Sequence, residues 1–395
     1  MVPDKTKPTS GLYVHVPFCA RKCDYCAFFS ESSSGELMNR YTAALIREME
    51  LVAEGFVPRT IFFGGGTPSI LSIPQWTRIL DAMERLGWCS PQEWTIECNP
   101  ATVSLEKARL WRERGVNRLS MGVQSLDEGL LDRLGRVHDR GMVFRSFDTL
   151  RQAGFENLNL DLMFAIPGQT KEIWRSTLRE AIAMGSEHLS SYEVIYEEDT
   201  ALYEQMKAGE FDVDEDLACD LYELLLEETA RAGFTQYEIA NFARRKPGPE
   251  GEFPARACAH NVNYWRAGSF HGLGPSATGY VGGLRTRNWA NTLLYCEQLE
   301  KGRRAIEYSE RLSPLERAGE AAAFGLRVGP GWPFGEFQEV TGFDLRAGWG
   351  DDMDRLASRG WGVREPDRFR LTPAGLRFAD AAAEMMLRPA SLQPA

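Results

Sequence analysis

Three cysteines, Cys19, Cys23 and Cys26, stand in a C-x3-C-x2-C spacing directly after a short apolar run at 12–16. Thiolates are soft ligands, suited to zinc, cuprous copper or iron–sulfur clusters. A structural zinc site takes four ligands, commonly as two cysteine pairs or as a cysteine pair with a histidine pair. Here three thiols share one loop, and the chain holds no second C-x2-C pair. Three ligands on a four-iron cluster leave one iron open, and an open iron means chemistry on a bound small molecule. A zinc loop, or a group of cysteines without metal, is the alternative.

Further polar residues fall at the ends of predicted strands. Gly64, Gly65 and Gly66 open the segment GGGTP. Glycine lets backbone approach a ligand closely and offers it N–H and C=O groups; a plain tight turn is the other reading. Glu97, in IECNP, can accept from a ligand ammonium or orient a ribose. Gln124 in SMGVQS and Arg136 in RLGRVH bring an amide and a guanidinium, the latter a natural fork for a carboxylate. Asp161, in NLDLMFAIPGQT, is a carboxylate among apolar neighbours and wants donors, which ribose hydroxyls would supply. The alternatives are a solvated strand end for Glu97, a surface ion pair for Arg136 and a structural bond to loop amides for Asp161.

A last candidate is His260 in HNVNYW. Neutral imidazole is a normal axial ligand of heme iron. Tyr264 and Trp265 can pack a flat macrocycle, and Cys258 is a second soft ligand two residues earlier. The alternative has His260 and Asn261 tying the loop by hydrogen bonds, with Tyr264 and Trp265 in the core.

The elements that must position these residues alternate. Apolar runs predict strands at 12–16, 59–63, 94–97, 119–122, 158–162 and 189–194. Between them, helical spacing predicts helices at 36–54, 74–86, 104–114, 141–154 and 171–184, with Ser104 as an N-cap. Such alternation implies right-handed βαβ units and a parallel sheet, whose ligands sit at the C-terminal ends of the strands. The expected fold is α/β, a curved, partly open (β/α)6 barrel. Beyond residue 196 the pattern changes: a helix at 216–232, a further strand at 234–239, a Pro- and Gly-rich loop at 243–256, and glycines packed against something at 270–280. The tail, from about 313, reads as a small helical or winged-helix-like domain with helices at 351–359 and 372–387 and a hairpin at 361–371. The expected divisions are 1–10 as a tail, 11–195 as the barrel core, 196–310 as its extension and 311–395 as the C-terminal domain.

Composition sets limits. A formal net charge of −11 argues against general affinity for nucleic acid or anionic membrane. Eight cysteines in 395 residues make no disulfide framework, and Cys89, Cys98, Cys219, Cys258 and Cys296 read mostly as small buried hydrophobes. No apolar h-region opens the chain and no apolar run reaches the ~18 residues of a membrane span. A reducing, cytoplasmic setting is expected.

The cysteine triad and its flanks resemble the radical S-adenosylmethionine (radical SAM) superfamily, in which SAM chelates the open iron of a [4Fe-4S] cluster. YVHVPFC, GGGTP, ECNP, SMGVQ and DLMFAIPGQ together resemble the oxygen-independent coproporphyrinogen oxidase family. That resemblance implies cluster ligands at Cys19, Cys23 and Cys26. It implies SAM contacts at Tyr13, Tyr25, Gly64, Gly65, Glu97, Gln124, Arg136 and Asp161, with Ile195 a further contact. The decarboxylating branch carries a fourth cysteine where this chain has Phe28, and a longer segment before the triad. The shorter pattern, with HNVNYW, is similar to the HemW-type heme chaperones. This implies a protein that binds heme, at His260, and passes it to heme-acceptor proteins, some of them bound to membranes. An electron donor such as flavodoxin or ferredoxin is implied if SAM is cleaved. No side chain is assigned a catalytic role.

Overall fold

The computed structural model describes residues 11–32, 34–245 and 251–388. The expected tail at 1–10 lies outside them. Six parallel strands follow one another in sequence and in space: β1 (Gly11–Val16), β2 (Thr60–Gly65), β3 (Glu93–Cys98), β4 (Arg118–Gln124), β5 (Leu158–Phe164) and β6 (His188–Glu193). Each matches a strand expected from the sequence, with ends moved by one or two residues. The alternation along each strand explains the layering. Leu12, Val14 and Val16 are fully buried on one face, as are Ile61, Phe63, Trp94, Ile96, Leu119, Leu158 and Leu160. That face packs under the helices Gly35–Val52, Ile73–Arg85, Leu105–Glu113, Arg140–Gln152 and Lys171–Ala183 in one apolar core. Each buried side chain of this size stabilises the fold by about 1.5–3 kcal/mol.

The helices start where short polar side chains accept their first free amides. Ser34, Ser72, Ser104, Asp139 and Thr170 all cap in this way, Ser72 in a reciprocal pair with Gln75. The other face of the sheet is polar and concave: Thr60, Thr95, Arg118, Ser120, Asn159, Asp161 and His188 alternate with the apolar set.

The sheet runs well past six strands. Beyond β6 it continues into β8 (Asn241–Arg244) and β7 (Phe234–Gln236), both antiparallel. Beyond β1 it continues into β9 (Phe270–Leu273), parallel to β1, and then β10 (Thr278–Val281), β11 (Leu284–Asn288) and β12 (Ile306–Arg311). Among the described residues the sheet does not close, as expected of a partly open barrel. One expectation is corrected here. The loop expected at 243–256 begins inside β8; its residues 246–250 lie outside the described ones. The glycines at 270–280 are closely packed, as expected: Gly272 and Gly279 lie in β9 and β10 and Gly274 between them, and a Cβ at Gly272 would lie 2.1 Å from the Thr278 carbonyl oxygen and one at Gly274 2.3 Å from the His15 carbonyl oxygen.

The C-terminal region holds a second core, built on Trp332, Phe337, Trp349, Met353, Leu356 and Phe369. It combines the helices Pro314–Gly325, Phe334–Thr341 and Gly350–Ser358 with a small sheet of β13 (Trp332–Pro333), β14 (Gly362–Arg364) and β15 (Arg368–Leu371). The order of helices and hairpin is that of a winged-helix-like unit. The single helix expected at 372–387 is broken at Phe378 into Pro373–Arg377 and Ala379–Met386.

Candidate cluster and cofactor site

At the C-terminal ends of the strands a cavity of about 520 Å³ opens, and Cys19, Cys23 and Cys26 all line it. The cysteine loop is held from three sides. Cys19 N–H donates to the Glu31 carbonyl (3.2 Å) and Asp24 N–H to the Leu134 carbonyl (3.1 Å), while Leu202 N–H donates back to the Asp24 carbonyl (2.8 Å). From below, His15 Nε2 lies 2.8 Å from the Phe29 carbonyl oxygen and must donate to it. Nδ1 of the same ring is then the acceptor for the Tyr13 hydroxyl at 3.0 Å. Burial lowers the pKa of His15, in keeping with a neutral ring in one tautomer.

All three thiols are free. Among the described residues no His, Cys, Asp or Glu side chains are drawn together around a single ion; these thiols face a cavity instead. Burial pushes the Cys26 thiol up, a cost that a bound metal would offset by taking the thiolate. Arg136 Nη1 lies 3.3 Å from Cys23 Sγ and Nη2 donates to the Gly122 carbonyl at 2.6 Å. Its buried Nε–H has no partner among the described residues, so the guanidinium that reaches the thiols through Nη1 keeps donor capacity for an anionic ligand group. Thr67 Oγ1 lies 3.6 Å from Cys19 Sγ. The soft donor set and the orphaned guanidinium donor both fit an anionic metal–sulfur group with a carboxylate-bearing ligand.

The strand ends supply the rest of the wall. Glu97 and Asp161 face the cavity together with Tyr25, Gln124 and Ile195. Withdrawal from water raises the Glu97 pKa to about 8, helped by the neighbouring Asp161 charge and opposed by the Gly65 amide, which donates to it. Burial likewise raises Asp161, opposed by hydrogen bonds from Ser120 and Asn159. Two acidic groups in one partly dry wall favour a cationic partner. Gln124 sits at φ +66° where β4 slips in register, and its Oε1 accepts from the Tyr192 hydroxyl at 2.9 Å. The amide is thereby oriented, leaving Nε2 as the free donor. Gly65 has φ +101°, and a Cβ there would fall 2.4 Å from the His15 ring. At Gly64 a Cβ would come within 3.0 Å of Glu97 Oε2.

Cys19, Cys23, Cys26, Tyr25, Gly65, Glu97, Gln124, Arg136, Asp161 and Ile195 are therefore brought together. Two expected contacts stand one step back. Tyr13 is not in the cavity wall and acts on His15; Gly64 is not in the wall and makes room for Glu97.

The expectation for His260 is corrected. It is buried on the helix Ala259–Trp265, next to Thr60 at the start of β2, which is the opposite end of the barrel. Nδ1 pairs with Thr60 Oγ1 (2.9 Å) and Nε2 with the Tyr264 hydroxyl (2.7 Å), so neither nitrogen is left for a metal. Cys258 Sγ donates to Glu93 Oε1 at 3.4 Å, and the Glu93 carboxylate also accepts the Ala259 and His260 amides. Trp265 lies under the Arg327 guanidinium rather than a macrocycle site. The HNVNYW segment is a plug capped by a strand carboxylate.

Sequence reasoning missed Tyr192, Asn159 and Ser120. Tyr192 was within reach, since it lies near the C-terminal end of β6 like the other wall residues.

Residues 13–181 match the radical SAM superfamily model. The chain is 35% identical over 354 residues to heme chaperone HemW of Bacillus subtilis, covering 88% of this chain and 91% of that one. It is 37% identical over 279 residues to heme chaperone HemW of Escherichia coli, covering 69% and 71%. Its fold is similar to that of coproporphyrinogen III oxidase (HemN) from Escherichia coli, a radical SAM enzyme, with a TM-score of 0.81, 20% identity, and 96% and 90% of the two chains covered. A C-terminal-end cavity with three free thiols, on a sheet of this order, thus comes with near full-length likeness to one group of relatives, and the chain belongs to the HemW family of the radical SAM superfamily.

Proposed function

We propose that this chain is a heme chaperone: it binds a [4Fe-4S] cluster, SAM and heme, and passes heme to acceptor proteins. When bound, the cluster supplies an open iron that can chelate the amino and carboxylate groups of SAM. Cys19, Cys23 and Cys26 would hold the cluster. Glu97, raised to about 8, suits an N–H of the SAM amino group. Arg136 suits its carboxylate, and Asp161 and Gln124 the ribose and adenine side.

The observation that carries the heme reading is an apolar rim on this cavity, in a chain whose relatives are named heme chaperones. Phe28, Val137 and Ile195 line the mouth and are 69%, 41% and 66% exposed. A flat apolar macrocycle would cover all three, and Arg21 on the same rim suits a propionate. Phe28 stands where the decarboxylating branch has a cysteine, which favours carrying over porphyrinogen oxidation. The setting proposed is cytoplasmic, with acceptors that include membrane-bound hemoproteins and a flavodoxin- or ferredoxin-type donor where SAM is reduced. No helix among the described residues is long and apolar enough to cross a membrane.

The test is anaerobic reconstitution followed by heme titration. Wild type binds heme; Phe28→Asp with Ile195→Asp binds it at least about tenfold more weakly, with unchanged iron content. A wild-type chain that loads its cluster and ignores heme ends the reading.

A further inference from the structure

A line of buried polar groups crosses the concave face of the sheet from the plug to the cavity, and the cofactor site does not by itself account for it. At the cavity end, Asn159 Nδ2 lies 2.7 Å from Asp161 Oδ1 and 2.7 Å from Ser120 Oγ; Ser120 donates to Asp161 Oδ2 at 3.0 Å. Asn159 Oδ1 lies 2.6 Å from His188 Nδ1. His188 Nε2 lies 2.8 Å from the Tyr237 hydroxyl, which accepts the Cys258 amide at 3.0 Å. Asn159, His188, Tyr237 and Cys258 are all within 1% of full burial.

The chemistry of the partners gives this line one direction. A carboxylate accepts, so the Asn159 amide must turn its NH2 toward Asp161 and its oxygen toward His188. An amide oxygen cannot donate, so His188 carries its proton on Nδ1. Its Nε2 then accepts, and the Tyr237 hydroxyl donates to it. Every donor points from the CAHNVNYW segment toward Asp161. Reversing any one group would leave two acceptors or two donors face to face in a dry interior, at a cost of about 1–3 kcal/mol.

We propose that Tyr237, His188 and Asn159 are positioning residues that act through Asp161: they hold its carboxylate in one orientation, with its remaining lone pairs turned to the cavity for ligand hydroxyls. The extension beyond the barrel thereby sets the affinity of the cofactor pocket, although none of its residues in this line touches the ligand. The inference rests on the reading that SAM occupies the cavity.

The experiment uses the cluster-loaded chain labelled with 15N-histidine. With five histidines in the sequence, the His188 signal is identified from a His188→Gln sample. The expected spectrum is a neutral ring protonated on Nδ1. Tyr237→Phe removes one hydroxyl; it should leave the iron content intact, keep His188 protonated on Nδ1 while shifting its Nε2 resonance as the accepted bond is lost, and weaken SAM binding about fivefold, one hydrogen bond's worth. A wild-type His188 protonated on Nε2, or a Tyr237→Phe chain that binds SAM as tightly as wild type, overturns the proposal. Should Tyr237→Phe fail to fold, the wild-type tautomer still decides. A cluster-loaded wild type that does not bind SAM removes the cofactor reading instead, a result distinct from equal binding by both chains.

Discussion

His15 Nε2 donates to the Phe29 carbonyl oxygen across 2.8 Å, so a strand side chain holds the loop that carries the three thiols. Its neutral form is the one that fits, with the Tyr13 hydroxyl donating to the other nitrogen. Replacing it by alanine removes both bonds and opens a gap under Gly65. His15→Ala should lose iron to a chelator about fivefold faster than wild type, measured by the decay of cluster absorption. His15→Gln, which keeps one donor and one acceptor, should recover part of the difference.

Gly65 is held in the left-handed region with the His15 ring where its Cβ would stand. Gly65→Ala therefore combines backbone strain with a steric clash. Thermal unfolding should show a loss of more than about 2 kcal/mol. The Glu97 carboxylate would also lose the Gly65 amide, so SAM binding should fall together with stability.

Burial holds Glu97 at about 8, with Asp161 adding to the shift. The folded chain binds this proton more tightly than the unfolded chain. The stabilisation is therefore full below the ordinary carboxylate range and is lost as pH rises through about 8. A ligand amino group that donates an N–H to Glu97 prefers the ionised form. SAM affinity should accordingly rise with pH up to about 8 and then level, with proton release on binding near neutrality. Isothermal titration in buffers of different ionisation enthalpy measures the release, and Glu97→Gln should reduce it.

His260 is a structural residue by its contacts: Thr60 and Tyr264 occupy its two nitrogens and Glu93 its amide. Burial lowers its pKa to about 3, with Arg118 adding to the shift. His260→Ala should cost about 2–4 kcal/mol of stability. Heme titration of the fraction that stays folded should match wild type; a folded variant that no longer binds heme would contradict the plug assignment.

The sequence by itself determined the six-strand alternation, the end of the sheet at which function gathers, and the cysteine triad. The reason is local: strands with one apolar face read at a period of two, helices at 3.6, and parallel strands all point the same way, so residues that follow strand ends share one mouth. It also carried Glu97 and Asp161 to the same mouth, from β3 and β5 on either side of β4. Only the tertiary structure decided where the segment beyond residue 196 goes. HNVNYW reads as a flat-ligand clamp in isolation, and its chemistry alone permits that. Pairing of β9 with β1 and the Glu93 cap bring it instead to the far end of the barrel. Long-range strand pairing leaves no periodic signal in the chain, so no local reading could show that His260 would spend both its nitrogens on its neighbours.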